Sequence, residues 1–307
     1  MMSKVQAATL VPARVVTVWT LLALMSLSGA TLAQERKTVV ASFTIMADMA
    51  RQVAGDQLEV ISLVPPGAEI HEYSPTPRDI LKARRADLIL YNGMGLERWF
   101  ERFYQGMEEV PAAVLTEGIE PIGLVEGPYS GRPNPHAWMT PANGLIYIDN
   151  IRRALVSLDP EHASTYNRNA RAYSERLEAL DRELTEAFGR IPAEQRTLAT
   201  CEGAFSYLTR EYDFRERYLW SVNAEQEGTP QQVRRLIDDL NADTVPVTFC
   251  ESTVNDRAMK QVTSETGARY GGTLYVDSLT RNDGPVPDYD TLLRYNAEQI
   301  QKGFGLE

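Results

Sequence analysis

Apolar positions along the chain change period several times. Short β-branched and aliphatic runs at 37–43 (KTVVASF), 59–64 (EVISLV), 87–91 (DLILY) and 113–115 predict four strands. Between them, apolar residues spaced by three and four predict helices at 45–53, 76–85 and 97–107. Thr76 suits the cap of the second of these, Pro77 its first turn and Asp79 its positive end. A Gly- and Pro-rich loop fills 118–135, and a helix follows at 142–158. A longer helix at 160–188 carries the stripe Tyr166, Ala170, Tyr173, Leu177, Leu180, Leu184 and Phe188. At 1.5 Å per residue it is about 40 Å long, a natural connecting strut. Beyond Ile191 and Pro192 the alternation resumes, with strands at 196–200, 217–221, 245–249 and 270–276. Helices are expected at 204–212, 229–241 (Thr229 as cap, Pro230 next), 256–267 and 290–303.

Strands separated by helices imply parallel sheets covered on both faces. The expected class is α/β. Two lobes, each a small parallel sheet flanked by helices, span 37–141 and 192–307. They are joined through 142–191 by one long rigid helix.

The amino terminus reads differently. Lys4 and Arg14 precede an uncharged stretch, 15–34, with the apolar block VVTVWTLLALMSL and then small residues. This is the pattern of a secretory signal peptide, with cleavage expected after Ala33 and Ala30 as second choice. The alternative is an uncleaved anchor, although the block is short of the roughly 20 apolar residues of a membrane span. With no cysteine near the cut, the expectation is a protein free in the periplasm. Losing Lys4 and Arg14 would take the formal charge from −11 to −13.

Composition narrows the function. Hydrophobic residues make up 43% of the 307 residues and charged residues 24%, which excludes a mainly disordered chain and a polytopic membrane protein. The acidic balance disfavours nucleic acid and suits a small cation better. The two cysteines, Cys201 and Cys250, end apolar segments (TLATC, VPVTFC), and each precedes a Glu. An exported chain with an even count suggests one disulfide, which would contribute about 4 kcal/mol in the chain-entropy model. Two buried free thiols are the alternative.

Three histidines limit the imidazole chemistry. His71, in PPGAEIHEY, and His136, in NPHAWM, fall where strands end, the ligand-binding edge of open parallel sheets. His162, in DPEHAST, reads as a solvated surface residue. Glu202 (CEGAF) and Asp277 (YVDSL) also follow strands in the second half. Two imidazoles and two carboxylates make a candidate donor set that spacing alone does not assemble. The competing reading is a pair of hydrogen-bonded loop histidines.

The segments PGAEIHEYSPTPRDI, NPHAWMTPAN, CEGAFSYLTREY, and WSVNAEQEGTPQQ through CESTVNDRAMKQV to YVDSL, in this order, resemble the metal-binding solute receptors of bacterial ABC importers. These are the cluster A-I, or cluster 9, proteins. The resemblance runs from about residue 37 to 303 and is greatest to the manganese and iron branch. It implies one divalent metal held between two lobes by His71 and His136 from the first and Glu202 and Asp277 from the second. It also implies an inner-membrane ABC permease with a cytoplasmic ATPase as partner.

Zinc branches usually place a third His where Glu202 stands and carry a His-rich loop that 120–135 lacks. Oxygen donors suit Mn²⁺, so Mn²⁺ is the expected cargo, with Zn²⁺ and then Fe²⁺ as alternatives. A metallohydrolase needs an open coordination position and a nearby base, and no HExxH motif is present. No enzymatic activity is expected, and a monomer is the default. Glu251 is a candidate acidic group near the site, or else an ion-pair partner of Arg257. Trp138, Tyr207 and Trp220 read as lobe packing.

Overall fold

A computed structural model describes residues 36–127, 129–222 and 228–306. The expected signal peptide lies outside these residues. Among the described residues no helix is long and apolar enough to cross a membrane.

The first sheet uses strands β1 (Thr38–Ala41), β2 (Glu59–Ser62), β3 (Leu88–Tyr91) and β4 (Ala112–Val114), all parallel, in the order β2-β1-β3-β4. Helices α1 (Thr44–Ala54), α2 (Pro77–Arg84) and α3 (Phe100–Tyr104) connect them. Helix α4 (Pro141–Leu158) and the 27-residue α5 (Ala163–Gly189) follow. The second sheet repeats the first, with β5 (Thr197–Glu202), β6 (Arg215–Trp220), β7 (Val247–Glu251) and β8 (Arg269–Leu274) parallel in the order β6-β5-β7-β8. Its helices are α6 (Ser206–Glu211), α7 (Pro230–Asp243), α8 (Arg257–Glu265) and the closing α9 (Tyr289–Gly303).

The central strands explain this layering. Every residue of β5 and β7 is buried, so these strands need cover on both faces. Helices α2 and α7 begin with the same device: Thr76 and Thr229 each accept from the backbone N–H three residues on, Asp79 and Gln232 return the bond, and Pro77 and Pro230 occupy the first helical position.

One expectation changes. The helix expected at 97–107 is α-helical only over Phe100–Tyr104. Gly93, Met94 and Gly95 all take positive φ, and the Glu97 carboxylate accepts from the backbone N–H of Asn92 (2.7 Å) and Gly93 (3.2 Å) and from the Ser42 hydroxyl (2.7 Å). Glu97 therefore closes a loop and does not open a helix. The long connecting helix expected at 160–188 is α5. The buried stripe of α5, Tyr166 to Phe188, lies in one apolar core with Val39 and Leu90 of the first sheet and Leu198 and Phe249 of the second. Residues 37–307 accordingly form one compact unit. Smaller cores line the outer face of each sheet, around Ile89 and Phe103 in the first and around Cys201, Trp220 and Cys250 in the second.

Candidate metal centre

The four donor residues arrive by different routes. His71 sits in the loop after β2. Glu69 shapes that loop by accepting from the backbone N–H of His71 (2.9 Å) and Glu72 (2.8 Å), and the Trp99 indole donates to the Ile70 carbonyl (2.9 Å). His136 precedes a short 3-10 turn, Ala137–Met139, leading into α4. Glu202 is the last residue of β5, where the sheet fixes its backbone. Asp277 lies just beyond β8, and first-lobe groups hold the residues beside it. The Trp138 indole donates to the Val276 carbonyl (3.0 Å), Gly67 N–H donates to Ser278 Oγ (2.6 Å), and Leu279 N–H donates to Thr44 Oγ1 (2.9 Å).

These routes converge. One donor atom from each of His71, His136, Glu202 and Asp277 lies within 4.8 Å of the other three. His136 Nε2 is 3.2 Å from His71 Nε2 and 3.3 Å from Asp277 Oδ1, and His71 Nε2 is 3.6 Å from Glu202 Oε1. All four are buried, none more than 6% exposed. His71 Nδ1 and both Asp277 oxygens, enclosed as they are, find no hydrogen-bond partner among the described residues. Buried polar atoms in that state are rare and usually answer to a ligand or to water. Burial pushes the His136 imidazole below its usual range, against the pull of Asp277, and so favours the neutral ring that a metal needs.

A second tier surrounds them. Glu251 is buried, and its two oxygens accept from Glu202 N–H at 3.3 and 3.2 Å. Burial, reinforced by Asp277 and Glu216, raises its pKa to about 8. No ion pair with Arg257 forms among the described residues; Glu251 backs the candidate centre instead. Cys201 and Cys250 form a disulfide between β5 and β7, one residue before Glu202 and Glu251. His162 is a partly exposed residue whose Nδ1 lies 2.7 Å from Asp159, and it is not one of the four clustered residues. Trp138 packs on Phe43 and His136, and its indole also bridges the lobes. Tyr207 bridges them as well, donating to the Asn134 carbonyl (2.8 Å) and accepting from Ile122 N–H (3.2 Å). Trp220 packs beside the disulfide.

Asn134 and Glu97 are the residues that pattern reading passes over. Asn134 Oδ1 lies 2.9 Å from His136 Nδ1. Its only sequence signal is its place two residues before a candidate ligand. Glu97 has none, since a buried loop-closing carboxylate looks like any helical Glu.

Set against known proteins, the chain matches the family model described as zinc-uptake complex component A, periplasmic (ZnuA) over residues 39–303. It is 60% identical over 267 residues to the iron-binding protein YfeA of Yersinia pestis, covering 87% of this chain and 86% of that one. It is 36% identical over 276 residues to the manganese ABC transporter substrate-binding lipoprotein PsaA of Streptococcus pneumoniae, covering 88% and 89%. Among solved structures, the Mn-bound periplasmic metal-binding protein of Candidatus Liberibacter asiaticus superposes with a TM-score of 0.81 at 38% identity, covering 88% of this chain and all of that one. PsaA is named a lipoprotein, whereas the two cysteines of this sequence are both taken up by the second-lobe disulfide. The family's members carry cargo and are not enzymes, and this chain belongs to the ZnuA family of metal-binding, substrate-binding proteins of ABC transporters.

Proposed function

We propose that this protein captures one divalent cation, Mn²⁺, between its lobes in the periplasm and delivers it as a monomer to an inner-membrane permease driven by a cytoplasmic ATPase. His71, His136, Glu202 and Asp277 are the ligands in this reading. The observation that carries it is the convergence of two buried imidazoles and two buried carboxylates, with both Asp277 oxygens unpartnered. Each carboxylate can bind through one or both oxygens, so the set supplies four to six donors. Two carboxylates favour a harder cation over an all-nitrogen or thiolate site. The pair also neutralises a divalent charge at a buried site.

Ferrous iron is the second reading, favoured by the iron-binding name of the 60% identical relative. The test is elemental analysis of protein purified from the periplasm without chelators or added metal, followed by competition among Mn²⁺, Fe²⁺ and Zn²⁺. About one Mn per chain, with cellular Mn falling on deletion, supports the proposal. Stoichiometric iron with an iron-uptake defect moves the cargo to Fe²⁺. Chains that neither carry nor take up metal overturn the site.

A further inference from the structure

His136 is the most enclosed of the four donors, and one side chain sets its orientation. Asn134 is fully buried, and both ends of its amide are engaged. Oδ1 accepts from the His136 backbone N–H (3.1 Å) and lies 2.9 Å from His136 Nδ1. Nδ2 donates to the Gly203 carbonyl (2.7 Å), in the second-lobe loop that follows Glu202, and to Ser206 Oγ (3.0 Å), at the start of α6. The Asn134 backbone is pinned as well, its N–H donating to Ile122 O (2.7 Å) and its carbonyl accepting from Tyr207.

Chemistry alone fixes which end of the amide is which. A peptide carbonyl only accepts, so the end facing Gly203 is the nitrogen. A peptide N–H only donates, so the end facing His136 is the oxygen. With an acceptor at Nδ1, the neutral His136 ring carries its proton there. Nε2 then keeps its lone pair, directed toward Asp277 and His71.

We propose that Asn134 is a positioning residue with two separable tasks: its Oδ1 sets the donor state of His136, and its Nδ2 ties that donor to the loop carrying Glu202, so that closure of the lobes and orientation of the ligand are one event. This rests on reading His136 and Glu202 as cargo ligands. An aspartate here would still accept from His136 Nδ1, but it would turn an oxygen toward the Gly203 carbonyl. Asn134→Asp therefore separates the tasks, and Asn134→Ala removes both.

The test compares wild type, N134D, N134A, S206A and H136A, each first shown to unfold cooperatively. Release of Mn²⁺ to excess chelator is followed by stopped flow. The protonated imidazole nitrogen of His136 is identified by ¹⁵N NMR in the metal-free protein at mildly alkaline pH. N134D is expected to keep the proton on Nδ1 while releasing Mn²⁺ about tenfold faster, because the buried Gly203 carbonyl loses its donor and faces an oxygen instead. N134A is expected to show the faster release and a proton shared with Nε2. S206A, which leaves the Gly203 contact in place, is expected to show a smaller acceleration, and it carries the release test together with N134D if N134A does not fold.

Wild-type release from N134D overturns the interlobe task, and an unchanged Nδ1 proton in N134A overturns the other. The ligand reading is separately checked by H136A. If H136A binds Mn²⁺ as wild type does, that reading fails. If H136A loses binding while both Asn134 variants match wild type, only the present inference falls.

Discussion

The two sheets have the same strand order, and both lobes start a helix with a Thr-Pro capping box, yet they bring different chemistry to the cleft. The first lobe presents imidazoles on loops. The second presents a carboxylate at the end of a buried strand and another just past β8. His136 and Asp277 are topological counterparts, each following the fourth strand of its sheet, and they meet at 3.3 Å. His71 and Glu202 are not counterparts: one follows an outer strand, the other ends an inner one. A shared scaffold thus brings imidazoles from one side and carboxylates from the other. The second lobe then concentrates Glu202, Glu251 and Asp277 in a small volume, and there the two inner strands are tied by the disulfide.

Removing a donor should break this complementarity most severely. Asp277→Ala is expected to weaken metal binding roughly a thousandfold or more, beyond the loss for an outer partner. The loop backbone should survive, since Val276, Ser278 and Leu279 keep their first-lobe bonds. Isothermal titration with Mn²⁺ measures the affinity; an unchanged value would remove Asp277 from the ligands.

Next in size is the covalent asymmetry. Replacing Cys201 and Cys250 by Ser opens a crosslink across a separation of 49 residues and should cost about 4 kcal/mol in urea denaturation. Hydrogen exchange should rise in β5 and β7 before it rises in β1 and β3. A uniform rise would mean that the bridge does not stiffen one lobe selectively.

A third test addresses the junction. Asp48 of α1 is buried and accepts from Tyr289 N–H (3.0 Å) at the start of α9. Burial, against the pull of that N–H, raises its pKa to about 6 from 3.8. Because the folded state holds this proton more tightly, the associated stability is full below about pH 4 and is lost as pH rises through 6. The loss is on the order of 3 kcal/mol. In Asp48→Asn that part of the metal-free stability profile should flatten, as followed by denaturant midpoint against pH. An unaltered slope would place the titration elsewhere.

The smallest effect probes what the lobes share. Thr76→Ala and Thr229→Ala each remove a capping side chain and should each cost about 1 kcal/mol by thermal unfolding. Metal affinity should not change in either. A marked inequality would show that the two helix starts are not equivalent.

Much of the architecture was legible because strong local signals coincided with burial. The apolar runs of β3 and β7 and the stripe of α5 are required by the faces they cover, and both Thr-Pro caps are written in four residues. The imidazoles stood out as two of only three histidines, and the carboxylates by their places at or just past strand ends. The rest depends on contacts distant in sequence. Glu97 reads as helical until its side chain is seen closing a loop of positive-φ residues. The position of Glu251 becomes clear only when β5 and β7 pair and bring it to Glu202 N–H. Asn134 gains its second role only when Gly203 arrives from the other lobe, 69 residues on.

The central claim is that His71, His136, Glu202 and Asp277 together hold one manganese ion between the lobes. Crystals of the protein grown with Mn²⁺ and measured at two wavelengths straddling the Mn absorption edge test it most directly. The account predicts one strong anomalous peak, present only above the edge and within bonding distance of all four side chains. A peak bonded to fewer than four of them, or none at the point where they converge, would contradict it.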